Sequence, residues 1–168
     1  MNRPPRTLKS RAIAYLARRE YGRAELRARL LGGYRRDVRP TPAEVDALLD
    51  ELVVRGLLSN ARYAQAMVNR KQGTHSRRAI AGTLKGQGIG AETIAAALAE
   101  VPVDDTEAMR ALWQRRFGAP PRDDREKSRQ VRFLQSRGFA LAAIFRLLRA
   151  LGARGDASPG QEADDTQT

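Results

Sequence analysis

The chain has no cysteine and one histidine, His75, in 168 residues. The first absence removes disulfide frameworks, thiolate zinc sites, iron–sulfur clusters and thiol nucleophiles. The second leaves neither a His-rich metal site nor a pair of catalytic histidines. Long apolar runs are missing too; none approaches the ~18 residues of a membrane span. The segment Met1 to Lys9 is basic but is followed by no apolar core or cleavage site, so it does not read as a secretory signal. The expected setting is the cytoplasm, with no membrane contact, which the lack of cysteine permits. No cofactor, metal or small-molecule substrate is expected.

Acidic residues are scarce and unevenly placed. Lys plus Arg number 31 and Asp plus Glu 19, for a net charge of +12. Residues 153–168 hold one Arg and four acids, so the first 152 residues carry 30 basic and 15 acidic groups, a net of +15. A cationic body of this kind seeks polyanions, either nucleic acid or an acidic protein surface. Of the basic residues 27 are Arg, a choice that a GC-rich genome also produces. The net charge is harder to explain in that way.

Strand signals are absent: no run of four or more residues alternates with β-branched or aromatic enrichment. What repeats has the helical period. Thr41-Pro42-Ala43-Glu44 is a capping box with proline at the first helical position. Val45, Leu48, Leu49, Leu52 and Val53 then form one apolar stripe, and Gly56 is a left-handed stop. Similar patterns predict helices at about Leu8–Glu20 and Arg23–Leu31, and after caps at Ser59, Ser76, Asp104 or Asp105, and Asp123. Tyr63, Met67, Ile80 and Leu84 are expected inside. Ala91–Val101 is another helix, ended by Pro102. The last carries Leu141, Ile144, Phe145, Leu148 and Leu151 and stops at Gly152.

The nine helices come in threes. Leu84-Lys-Gly-Gln-Gly-Ile89 matches Leu134-Gln-Ser-Arg-Gly-Phe139 at an interval of 50 residues, with Leu30-Leu-Gly-Gly-Tyr34 as a shorter counterpart. The fold expected is all-α, three tandem three-helix repeats in an elongated array in which each unit covers its neighbour. The boundaries are residues 8–58, 59–103 and 104–152. Residues 1–7 and the acidic tail 153–168 have little to bury and are expected to be disordered.

Chemistry-bearing constellations are few. His75, in Gly73-Thr-His-Ser76, reads as a solvated loop residue. Gly86-Gln-Gly-Ile-Gly90 follows a helix, whereas a dinucleotide loop follows a strand. Asp104-Asp105 and Asp123-Asp124 stand at helix starts, where carboxylates satisfy free amides. No catalytic residue is assigned, and the protein is not expected to be an enzyme. The basic residues are the better candidates. Arg122, Arg125, Arg129 and Arg132 fall on one helical stripe, and Arg19, Arg23 and Arg27 on a shorter one. Arg70, Lys71, Arg77, Arg78 and Lys85 surround a single loop. Such sets follow a phosphate backbone or fit an acidic groove; a solvated face is the alternative.

Several stretches together resemble the RecX family, bacterial regulators of the RecA recombinase. They are Tyr15-Leu-Ala-Arg-Arg-Glu-Tyr21 with Arg23-Ala-Glu-Leu26, Val45-Asp-Ala-Leu-Leu-Asp-Glu-Leu-Val-Val-Arg-Gly-Leu-Leu58, Arg62-Tyr-Ala64, and Glu126-Lys-Ser-Arg-Gln-Val-Arg-Phe-Leu-Gln-Ser-Arg-Gly-Phe139. The resemblance runs from about Leu8 to Gly152 and rests on motif order, not on a catalytic signature. It implies three tandem three-helix repeats and a non-enzymatic protein; a monomer is the expected state. Such a protein binds the RecA filament in its groove, with single-stranded DNA a candidate component of the complex. It is expected to restrain RecA's ATPase, strand exchange and coprotease activities, in regulation of DNA repair, recombination and the SOS response. Three departures stand out: Asn60 where the family often has an acid, Gly73-Thr-His-Ser-Arg-Arg78 where it often has a Gly-rich basic loop, and the long Gly32–Pro40 link. The competing reading is a helix-turn-helix-like DNA-binding transcription regulator, which short helices with glycine turns and a basic balance also fit.

Overall fold

The structure, a computed structural model, describes residues 7–32 and 39–155. Among them are nine α-helices and no strand. In order they are α1 (Leu8–Leu16), α2 (Arg23–Leu31), α3 (Pro42–Val54), α4 (Asn60–Lys71), α5 (Arg77–Gly86), α6 (Ala91–Ala97), α7 (Thr106–Arg116), α8 (Asp124–Ser136) and α9 (Leu141–Gly155). The segments 1–6 and 156–168, part of the expected disordered ends, lie outside the described residues. Thr7 caps α1 through a bond from Ser10 N.

Local chemistry sets most of the helix ends. The capping box is complete: Thr41 Oγ1 accepts from Glu44 N, and the Glu44 carboxylate accepts from Thr41 N at 2.8 Å. Asp123 accepts from Glu126 N at 2.7 Å. Ahead of α7 it is Asp104 that accepts from Thr106 N and Oγ1. α5 and α8 end alike. Gly88 and Gly138 are left-handed, at φ +75° and +87°. Ile89 N donates to Leu84 O and Phe139 N to Leu134 O, closing the last turn over a buried apolar pair. Gly32 of the shorter counterpart is extended, and Gly33 lies outside the described residues.

Four readings need correction. α1 ends at Leu16, not Glu20. The chain leaves the helix so that Tyr21 can be buried, with the Arg19 guanidinium 3.8 Å from its ring centroid. α6 ends at Ala97, although Leu98 beyond it is still buried. Gly152 does not stop α9, because a helical glycine costs only about 1 kcal/mol against alanine. The apolar stripes are narrower than the sequence indicates: Val53, Leu141 and Phe145 are more than 40% exposed, and Leu147 is buried in their place.

Buried apolar side chains form three clusters. One is built on Leu26, Leu30, Leu49 and Leu52, one on Tyr63, Met67, Ile80 and Leu84, and one on Met109, Trp113, Leu134 and Ile144. Two compact units contain them. The first comprises the chain up to Gln72 together with Arg77–Val103, and so holds two clusters. Within it, Gly22 at the N-terminus of α2 lies against the Tyr63 ring, 3.1 Å from where a Cβ would stand. Arg23 N donates to Asn60 Oδ1 at 3.0 Å, so the residue that departs from the family pattern satisfies an amide of α2's first turn. Arg62 pairs with Glu20 at 2.8 Å, and the Tyr63 hydroxyl donates to Gln87.

The second unit comprises Gly73–Ser76 and the chain from Asp104 onward. Ser76 N donates to Arg137 O and its hydroxyl to Gly138 O, supplying donors at the C-terminal end of α8. Trp113 Nε1 donates to Gln130 Oε1 at 2.7 Å, and Gln130 Nε2 donates to Ala119 O at 3.2 Å. Gln130, 2% exposed, therefore ties α7, α8 and their link together.

Candidate functional site

α8 turns Gln130 and Leu134 inward and keeps Val131 half-buried. The opposite face carries Arg125, Arg129 and Arg132, all exposed. No ion pair with a carboxylate engages these three among the described residues. Arg129 approaches the Phe117 ring, 5.8 Å from its centroid.

Arg122 is not part of that helical stripe. It precedes the cap residue, and its guanidinium pairs with Glu126 at 2.7 Å. Its backbone N–H donates to the same carboxylate at 3.0 Å. The Arg122 side chain, then its amide, holds the Glu126 carboxyl down to about 2.

The basic set near the link from α4 to α5 divides. Arg70 and Arg78 are exposed and Lys71 is half-buried. Arg70 and Lys71 stand in the last turn of α4 and Lys85 in that of α5, where cations favour the helix dipole. Arg77 turns inward and donates to the carbonyls of Leu98 and Val101, just past the end of α6. It is a helix-end donor, and this removes it from the outward-facing set. His75 is half-buried, its Nδ1 3.0 Å from Thr74 Oγ1 and its Nε2 3.5 Å from Arg137 Nη1, so it is not a bare loop residue.

The shorter stripe is spent inside its own repeat. Arg19 pairs with Glu25 at 2.5 Å, Arg23 with Asp50 at 2.8 Å and Arg27 with Asp46 at 2.7 Å. Arg27's hydrogen bonds lower the Asp46 carboxyl from its ordinary range.

Read as sequence, Arg115-Arg116-Phe117 is only a basic helix end. Folding brings Phe117 edge-on to Phe133, with centroids 5.4 Å apart, and sets the Arg116 guanidinium 5.7 Å from the Phe117 centroid. The one signal available was an aromatic residue next to basic ones just before a Gly-Ala-Pro-Pro link.

Comparison with known proteins places these features. Residues 59–98 match the model for the second three-helix domain of RecX, and residues 104–148 match that for the third. The chain is 45% identical over 148 residues to the regulatory protein RecX of Leptothrix cholodnii, covering 88% of this chain and 91% of that one. It is 38% identical to the RecX of Ralstonia pickettii, over 87% and 89% of the two chains. For the RecX of Pseudomonas savastanoi the figures are 41%, 88% and 94%. Two solved structures share the fold. A regulatory protein RecX aligns at TM-score 0.59 and 20% identity, over 85% of this chain and 70% of that one. RecX from Lactobacillus salivarius aligns at 0.57 and 17%, over 87% and 95%.

Proposed function

The chain belongs to the RecX family of regulatory proteins, and on that footing we propose that it binds the RecA filament on DNA and modulates it, mainly by inhibition. The activities restrained are RecA's ATPase, strand exchange and coprotease functions, and through them DNA repair, recombination and the SOS response. The observation that carries the reading is the stripe of Arg125, Arg129 and Arg132, three exposed guanidiniums on one face of α8. A filament on DNA offers phosphates and carboxylates in a groove, and planar guanidiniums bind both with paired hydrogen bonds.

In this reading the protein works by contact, as a monomer in the cytoplasm, and not by catalysis. Its carboxylates at Asp104 and Asp123 serve as helix caps. The three repeats, residues 8–58, 59–103 and 104–152, are its working parts, a division supported by the three apolar clusters. Arg70, Lys71, Arg78 and Lys85 form the second contact set. The test is RecA's DNA-dependent ATPase rate with increasing amounts of this chain. Inhibition at substoichiometric to equimolar chain is the expected outcome. An unchanged rate and an intact filament at saturation would remove the reading. Sequence-selective duplex binding without RecA would favour the transcription-regulator alternative.

A further inference from the structure

Between the end of α7 and the start of α8 lies a cleft of about 340 Å³. Arg116 and Phe117 come from α7's end, Pro120 and Arg122 from the link, and Glu126 and Arg129 from the first turns of α8. Gln130 also lines it, and that side chain's two internal hydrogen bonds fix both α7 and the link at Ala119. The cleft's shape is therefore set before any ligand arrives, which lowers the cost of binding.

Its chemistry is asymmetric. Three guanidiniums face one carboxylate, and that carboxylate forms its ion pair with Arg122. Arg116 and Arg129 are both exposed and flank Phe117, at 5.7 and 5.8 Å from its centroid. A guanidinium beside an aromatic ring gives a nucleobase a stacking surface, and the same guanidinium supplies charge for a phosphate next to it.

We propose that this cleft is a nucleotide site: it takes one nucleoside monophosphate unit, with the phosphate between Arg116 and Arg129 and the base against Phe117 and Pro120. The unit is supplied by single-stranded DNA or by a free nucleotide, which offer the same chemistry. Glu126 is the built-in competitor. Its carboxylate repels an incoming phosphate and occupies Arg122. The inference deepens the filament reading by assigning a DNA-facing site, but it is tested without RecA, so either can fail alone.

Trp113, the chain's one tryptophan, reports on the site because its indole N–H is bonded to Gln130 in the cleft's lining. The experiment follows Trp113 emission and the anisotropy of a labelled oligothymidylate with the full chain, adding thymidine monophosphate in a second arm. The oligonucleotide is expected to bind and to shift the tryptophan emission. Arg116→Ala with Arg129→Ala is expected to lower affinity about tenfold, and Glu126→Gln to raise it about threefold. A matching emission shift from the monophosphate assigns the site to free nucleotides as well; a shift with the oligonucleotide alone assigns it to DNA. Both Arg changes are at exposed positions, and circular dichroism checks that helicity is kept. Oligonucleotide affinity within about twofold of the parent in the double Arg variant, or no emission shift with either ligand, would overturn the proposal.

Discussion

Residues 8–58 carry eleven basic and seven acidic side chains, and residues 104–152 carry eleven and six. The two regions have nearly the same surplus and use it in opposite ways. In the first, Lys9, Arg19, Arg23, Arg27, Arg29 and Arg55 all reach carboxylates. Arg23 with Asp50 and Arg27 with Asp46 make an antiparallel ladder between α2 and α3. In the last, Arg122 pairs with Glu126, while Arg125, Arg129 and Arg132 make no ion pair among the described residues. The reason is where the acids stand. Asp104 and Asp123 are caps, α8 keeps its acids in its first turn, and α9 has none. Glu126, one turn before Arg129, is already engaged by Arg122, and Arg132 has no carboxylate one turn away on α8. Net charge measures attraction at a distance; the placement of acids decides which cations remain to be bound.

The largest expected effect comes from reversing the charges of the last region. Arg125→Glu, Arg129→Glu and Arg132→Glu together are expected to weaken binding to the RecA–DNA filament by about a hundredfold at low salt, with helicity unchanged. Where single-stranded DNA is the surface met, the slope of log K on log salt should flatten by about 2 units, at roughly 0.7 per lost phosphate contact. Equal affinity for the variant and the parent would mean that the stripe is only solvated surface.

A smaller effect should appear when the first region is made to resemble the last. Asp46→Asn with Asp50→Asn releases Arg23 and Arg27 from the ladder. Filament or DNA affinity is expected to rise about threefold, in a salt-sensitive way. An unchanged affinity would show that pairing is not what silences these arginines.

The smallest is a titration. Glu126 has a folded-state carboxyl of about 2 against an ordinary 4.5. A depressed folded value means that its contribution to stability is complete above about 4.5 and lost as pH falls toward 2. Carboxyl NMR should place Glu126 near 2 in the parent and move it up in Arg122→Ala. Asp46 should move up in the same way in Arg27→Ala, since both are held by a guanidinium. A Glu126 titration near 4.5 in the parent would mean that Arg122 is unpaired as well, and would sharpen the contrast with the first region.

What was legible in the residues was local. The caps at Thr41 and Asp123 and the glycine turns at Gly88 and Gly138 follow from a few neighbouring side chains, and the structure has them. The motif order was legible too, and it pointed to the family. What was not legible depends on partners far along the chain. Arg77 reads as one more surface cation, yet its acceptors are the carbonyls of Leu98 and Val101. Arg19, Arg23 and Arg27 read as a free stripe because the spacing says nothing of Asp46 and Asp50. Phe145 belongs to a good apolar stripe, but α9's neighbours cover the side that holds Leu147. The cleft beside Phe117 was hidden for the same reason, since its walls come from two helices and the link between them.

Tyr63 has a consequence for how the first unit opens. Its ring belongs to the second cluster but is covered by Gly22 at the start of α2, while its hydroxyl reaches Gln87 in the turn before α6. Swinging the first three helices away would strip this ring and, with it, the amide of Arg23 from Asn60. The two clusters of the unit therefore do not fray one after the other. Their amides are expected to exchange with solvent in a single cooperative opening, so that hydrogen exchange would show α1–α6 as one unfolding unit although two separate cores hold them.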